Sequence, residues 1–288
     1  MTPSKTSDAV DRTGARTGLR TEALSVGYGE RTILADLDIA FAAGRVTSIV
    51  GANGSGKSTL LRSCARLLKP SRGSVLLDGR AVDALPTKAL ARRLGLLPQH
   101  PIAPEGITVA DLVGRGRHPH QGALSRWSAA DYAAVASALE ATRLGDLVDR
   151  PVDELSGGQR QRVWIAMALA QQTGILLLDE PTTYLDVAHQ IEILDLVRTL
   201  NRDRGTTVVM VLHDLNLAAR YSDELIALRD GSVRAAGDPR SVLDEALVRE
   251  VFGLEARVIP DPVSASPLVI PIGEYRPEMS SAEWSSAE

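Results

Sequence analysis

The amino-acid sequence predicts an α/β protein organised on a parallel sheet, and three stretches carry that expectation. "GILLLDE" and "TTVVMVLHD" are continuous apolar runs of strand length, and between them Val187, Ile191, Leu194 and Leu200 recur at helical spacing. Strand, helix, strand with no polar face on either strand is the pattern of a βαβ unit whose sheet is covered on both sides. The third stretch is "SIVGANGSGKST", in which a brief buried-strand pattern runs through a glycine-rich loop into the helical "TLLRSCARLL".

The remaining elements follow in chain order. Residues 1 to 17 are polar, rich in Thr, Ser and Asp and without periodicity, and residues 276 to 288 are similar, so both are read as flexible tails. A main domain is expected over 18 to 254. Its first part, "LRTEALSVGYG" and "RTILADLDIAFAAG", alternates or runs apolar between glycine-containing turns, which suggests short antiparallel strands. The Ala- and Leu-rich middle, with a helix cap at Ser128, is read as a helical insert over about 99 to 160, bounded by the proline-rich "LPQHPIAPEG" and by Pro151. Residues 255 to 275 are assigned to a C-terminal β extension. No internal repeat is visible.

Composition narrows the classes of function. The chain has 288 residues, 44% of them hydrophobic, which is ordinary for a protein with a buried core. Its net charge of -4 provides no basic field, so nucleic acid is not an expected partner. The single cysteine, Cys64, excludes an internal disulfide and is read as a packed helix residue. No apolar run approaches the roughly 20 residues that span a bilayer, and the N-terminus lacks the apolar core of a secretory signal. Work at a membrane would require docking there.

Gly51, Gly56, Lys57 and Ser58 stand at the spacing G-x-x-x-x-G-K-[ST], after a strand and before a helix. Glycines let backbone N–H groups converge on phosphate oxygens, the helix N-terminus adds its positive end, Lys57 supplies a point charge, and the Ser58 hydroxyl can ligate Mg²⁺. Asn53, Gly54, Ser55 and Thr59 complete this loop. "ILLLDE" ends in two carboxylates suited to two tasks: Asp179 to hold Mg²⁺ through its water shell, and Glu180 to polarise a water for in-line attack on a γ-phosphate. His213 follows the next apolar strand, where it can reach the γ-phosphate or the attacking water. Gln99 follows another such run, and its amide could ligate Mg²⁺ or position water. "LSGGQRQR" is a second phosphate-binding pattern, with Ser156, Gly157 and Gly158 at the start of the helix "GQRQRVWIAMALA". The chain's own phosphate loop leaves this second pattern without an obvious ligand. His118 and His120 make a poor metal site, being two histidines in a loop without further ligands.

In their order, "GANGSGKST", "LPQ", "LSGGQRQR", "LLLDEPT", "YLD" and "VLHD" make the chain closely resemble the nucleotide-binding subunit of ABC transporters, over about residues 19 to 254. The resemblance implies a P-loop NTPase fold: a RecA-like parallel-sheet core, an antiparallel β subdomain and a helical subdomain carrying the signature motif. It implies ATP and Mg²⁺ as ligands, Tyr28 stacking on adenine, Gln99 as Q-loop glutamine, Glu180 as general base, His213 as switch histidine, and Asp186 in the loop between sites. It also implies that Ser156, Gly157, Gly158 and Gln159 close over ATP held by a second copy in an ATP-sandwich homodimer. The partners implied are membrane permease subunits and, indirectly, a substrate-binding protein, with this chain peripheral on the cytoplasmic face. Ala52 replaces a common proline, and "TYLD" replaces a common "SALD". "GRGRHPHQG", "PTTYLDVAHQIEILDLV" and "VIPDPVSASPLVIPIG" are similar to the importer ATPases for iron-siderophore, haem and cobalamin, with iron-siderophore the nearest fit. A soluble ABC ATPase acting on nucleic acid or ribosomes is the alternative from another class.

Overall fold

A computed structural model describes residues 18–29, 31–122 and 126–273. The two terminal segments read above as flexible tails lie outside the described residues, as do positions 274 and 275. Alternating apolar residues fold the first described segment into an antiparallel hairpin of β1 (Gly18–Tyr28) and β2 (Arg31–Ala42), which buries Leu19, Leu24, Val26, Leu34, Leu37 and Phe41. β3 (Val46–Gly51) is buried at every position and feeds α1 (Lys57–Cys64). β4 (Arg72–Leu77) returns beside β1 and is followed by β5 (Arg80–Ala81), giving a four-stranded sheet in the order β2-β1-β4-β5.

After α2 (Thr87–Ala91) and β6 (Leu94–Leu97), the chain makes a layer of helices: α3 (Val109–Gly114), α4 (Ala129–Ala141) and α5 (Gly157–Ala170). Then come β7 (Ile175–Asp179), α6 (Val187–Arg204), β8 (Thr207–Val211), α7 (Leu215–Tyr221), β9 (Glu224–Arg229) and β10 (Ser232–Gly237). α8 (Pro239–Val242), α9 (Glu245–Phe252) and the hairpin of β11 (Ala256–Pro260) with β12 (Pro267–Pro271) complete the described chain. The Asn216 side chain ties that hairpin to α7 through the backbone N–H and carbonyl of Val269, at 2.7 and 3.2 Å.

The central sheet runs β10-β9-β3-β8-β7-β6, parallel except where β10 joins β9. Successive side chains on a strand point to opposite faces, so each central strand supplies two cores. Val46, Leu176, Leu178, Val208, Met210 and Ala227 pack with α5, α6 and the helical layer. Ile49, Leu177, Val209, Val211 and Leu228 pack with α1 and the antiparallel sheet.

Local chemistry sets the helix ends. Thr108, Ser128, Ser156, Asp186, Asp214 and Asp244 cap helices by accepting backbone N–H groups, and Gly205 and Gly253 end α6 and α9 in the left-handed conformation. Two expectations are corrected. Helix α1 stops at Cys64, because Arg66 turns left-handed at φ 60°, so it is shorter than the apolar pattern suggests. In α6 the packed stripe is Ile193, Leu194, Val197 and Leu200, whereas Val187, two turns before Leu194 and beyond the packed layer, is 73% exposed.

Cys64 is buried at the end of α1, and burial pushes its thiol up to about 12. The thiolate is the reactive species. Native protein treated with iodoacetamide at pH 8 is therefore expected to remain unmodified at Cys64, and denaturant should expose it; rapid native alkylation by intact mass would contradict this placement.

Candidate active site

The loop between β3 and α1 is shaped by positions that only glycine can fill. A Cβ on Gly51 (φ 152°) would lie 2.2 Å from the Leu228 carbonyl oxygen, and one on Gly56 (φ 103°) 2.4 Å from Leu34 Cδ2. Asn53 and Gly54 form the exposed apex, while Ser55, Lys57 and Thr59 are buried. The Lys57 ammonium donates to the Gly51 and Ala52 carbonyls at 2.8 and 2.9 Å, which holds the loop curled. Burial pulls its pKa down, and Glu180 and Asp179 oppose that by favouring the charged form. Ser55 Oγ is buried without a hydrogen-bond partner among the described residues. The loop thus offers an orphaned hydroxyl, a buried cation and a helix N-terminus, a donor set that fits a polyphosphate.

Ser58 Oγ donates to Asp179 Oδ1 at 2.8 Å, joining the start of α1 to the end of β7. The other carboxylate oxygen, Oδ2, is buried with no hydrogen-bond partner among the described residues. Burial raises the Asp179 carboxyl pKa, against the Ser58 hydrogen bond and the Arg62 charge. An orphaned buried carboxylate oxygen beside a hydroxyl fits a hard divalent cation that keeps most of its waters. No group of three or more His, Cys, Asp or Glu side chains able to hold a metal occurs among the described residues.

Glu180 directly follows β7 in the left-handed region, at φ 55°. Its Oε2 accepts from Gln99 Nε2 at 2.6 Å and from Thr183 Oγ1 at 3.0 Å, and its Oε1 lies 2.7 Å from His213 Nε2. Burial raises its carboxyl, but the hydrogen bonds from His213 and Thr183, with Gln99 adding to them, outweigh it and hold the group below the usual glutamate value. Glu180 is therefore ionised at neutral pH. Gln99, which follows β6, and His213, which follows β8, reach it from separate strand ends. The Gln99 amide lies on Glu180 and not on the Ser58–Asp179 pair. Thr183 went unnoticed in the sequence; its only signal there is a hydroxyl three residues beyond the acid.

Ser156 caps α5 reciprocally: its Oγ accepts from Gln159 N at 3.2 Å, and Gln159 Oε1 accepts from Ser156 N at 3.0 Å. Gly157 is open to solvent, with nothing within 4 Å of where a Cβ would stand, whereas Gly158 packs against the His189 ring, 2.6 Å from where its Cβ would be. His189 in turn lies 2.7 Å from Asp186 Oδ1, and the His189 N–H bonds hold the Asp186 carboxyl below its usual range. Ser156, Gly157, Asp186 and Val187 are exposed, as is Tyr184 at 85%. Tyr28 is 48% exposed at the end of the hairpin whose Ile33 and Leu34 reach Gly56.

The histidines of "GRGRHPHQG" lie in a 3₁₀ helix over Arg115–His120, not in a loop. His118 is exposed, and half-buried His120 lies 2.8 Å from the Gln171 carbonyl. The charged side chain buried in this stretch is that of Arg117, which pairs with Asp131 at 2.9 Å and bonds the Ala170 carbonyl at 2.7 Å. Hydrogen bonds from Ser128, with Arg117 adding to them, draw the Asp131 carboxyl down to about 2.

The model of the ABC transporter family matches residues 34–183. The chain is 54% identical to the achromobactin transport ATP-binding protein of Dickeya dadantii, over 91% of this chain and 97% of that protein. It is 49% identical to the ferric enterobactin transport ATP-binding protein of Escherichia coli (strain K12), over 92% of this chain and 97% of that protein. Among solved structures, a dimeric bacterial ABC transporter cassette superposes with a TM-score of 0.68 at 30% identity, covering 76% of this chain and 98% of that one. With a phosphate loop, a paired Asp179–Glu180 strand end and a capped "LSGGQ" helix on one α/β frame, the chain belongs to the ABC transporter family as an ATP-binding subunit.

Proposed function

We propose that this protein is the ATP-hydrolysing subunit of an importer for a metal chelate, most closely an iron-siderophore, and that it drives a separate membrane permease from the cytoplasmic face. One observation carries the choice of cargo: likeness over 91% and 92% of the chain, 54% and 49% identical, to proteins named for transport of achromobactin and of ferric enterobactin, the latter an iron chelate. No helix among the described residues is long and apolar enough to cross a membrane, so a spanning partner accords with the reading.

The roles of the residues follow from their chemistry. Backbone N–H groups from Gly51 to Thr59, with Asn53, Gly54, Ser55, Gly56 and Lys57, hold the phosphates, and the exposed Tyr28 ring offers the adenine a flat face. Ser58 and Asp179 would hold Mg²⁺, joined by Gln99 if its loop moves; the ion supplies positive charge against the β- and γ-phosphate oxygens. Glu180 accepts a proton from the attacking water as the water oxygen bonds to the γ-phosphorus and the bond to the ADP oxygen breaks, with His213 orienting the carboxylate. Ser156, Gly157, Gly158 and Gln159, with Asp186, complete the site of a second copy, giving two ATP molecules between two subunits. The exposure of Tyr184, Val187 and Ser156 around that motif supports a covered face there.

The test is uptake by cells lacking this chain. Loss of radiolabelled ferric-siderophore uptake, restored by the wild-type protein and accompanied by co-purification of a permease from solubilised membranes, is expected. Loss of haem or cobalamin uptake with siderophore uptake intact would overturn the cargo, and unchanged uptake of all three would overturn the transport reading.

A further inference from the structure

Thr183 stands out among the groups that touch Glu180. A carboxylate presents about four lone-pair sites, two on each oxygen. Gln99 and Thr183 both donate to Oε2, which fills that oxygen, while Oε1 receives, among the described residues, His213 alone and keeps one direction open. Gln99 and His213 belong to loops after β6 and β8, so either can leave when its loop moves. Thr183 cannot leave in that way. It lies in the same tight turn as Glu180, closed by the Thr183 N–H on the Glu180 carbonyl at 3.3 Å, and it travels with the acid.

The turn is unusual in its backbone. Glu180 at φ 55° and Tyr184 at φ 64° both occupy the left-handed region, which side-chain-bearing residues hold only where the surroundings fix them. This geometry folds the Thr183 hydroxyl back onto the carboxylate of the third residue before it. The terminal torsion of a glutamate is broad and two-fold, so an untethered carboxylate would rotate and present either oxygen, in either plane, to the water.

We propose that Thr183 is a positioning residue for ATP hydrolysis: its hydroxyl pins Oε2 and so leaves Oε1, beside His213, as the oxygen that takes the proton from water. Lys57 and Asp179 face the same carboxylate and are separate from this tether. The inference rests on the reading of Glu180 as the base. It assigns to the hydroxyl, and not merely to the bulk at this position, the hold that survives when Gln99 withdraws.

The experiment compares Thr183→Val, Thr183→Ser and Glu180→Gln in the full-length chain. Losing one hydrogen bond to a charged group corresponds to a fall of about tenfold or more in kcat, expected for Thr183→Val with KM for ATP unchanged and for Thr183→Ser restored to near the wild-type rate. In the Glu180→Gln background, Thr183→Val should leave ATP affinity unaltered, as measured by titration. A wild-type kcat in Thr183→Val while Glu180→Gln is inactive would overturn this inference alone. Full turnover in Glu180→Gln would instead overturn the base. A Thr183→Ser variant as slow as Thr183→Val would show that the methyl, and not the hydroxyl, matters, and would also overturn the proposal.

Discussion

Replacing Glu180 with glutamine is expected to leave ATP binding intact and to lower turnover by about a thousandfold, within the range that a positioned general base contributes. The substitution keeps the size of the side chain but removes the acceptor for a water proton. It also disturbs the local hydrogen bonding, since Gln99, Thr183 and His213 all approach this group as donors. An amide can accept only at its carbonyl, so its NH₂ must confront at least one of them. The phosphate loop keeps its hydrogen bonds, because Lys57 and Ser58 bond the Gly51 and Ala52 carbonyls and Asp179, none of them through Glu180. Equilibrium nucleotide binding and steady-state phosphate release together separate the two effects; phosphate release at the wild-type rate would remove Glu180 from the mechanism.

Ser156→Arg tests the exposed face at the start of α5. The wild-type hydroxyl caps α5, and losing the cap costs about 1 kcal/mol of helix stability. The helix should survive, since Val163, Ile165 and Ala166 anchor it in the core. What changes is the space above Ser156 and Gly157: a long side chain now stands where, on the proposed function, a second copy brings its bound ATP close. Each monomer should bind ATP as before, ATP-dependent dimerisation in size-exclusion chromatography should disappear, and hydrolysis should fall at least about a hundredfold, since an incomplete site loses preorganised donors. A variant that dimerises normally with ATP would mean that α5 does not meet the second nucleotide. Ser156→Ala, which keeps the space clear, should retain part of the association.

Legibility in the sequence followed the physics of each feature. The phosphate loop reads directly, because four positions at fixed spacing between a strand and a helix have few other uses, and Gly51 and Gly56 are indeed places where a Cβ would strike Leu228 or Leu34. The central strands read equally well: a sheet covered on both faces demands unbroken apolar runs. Thr183 and His189 could not be read this way. Their contacts arise from a turn with left-handed residues and from the packing of one helix start against another, neither of which leaves a periodic trace. Arg117 was hidden for a different reason, since a charged residue in a polar stretch looks solvated until Asp131, fourteen positions later, is found to meet it inside the protein. Val187 misled because helical spacing reports which side of a helix is apolar and not how far the packed layer extends.

The central sheet gives its two faces to different neighbours, with Leu176, Leu178, Val208 and Met210 turned towards the helices and Leu177, Val209 and Val211 towards α1 and the antiparallel strands. Helix α1, which follows the phosphate loop, is fastened to one side of this partition, while the layer carrying α5 is fastened to the other. The strand ends that bear Gln99, Asp179, Glu180 and His213 form the border between them. On the proposed function, a displacement of the helical layer reaches the nucleotide through the loops at that border, which both faces of the sheet share.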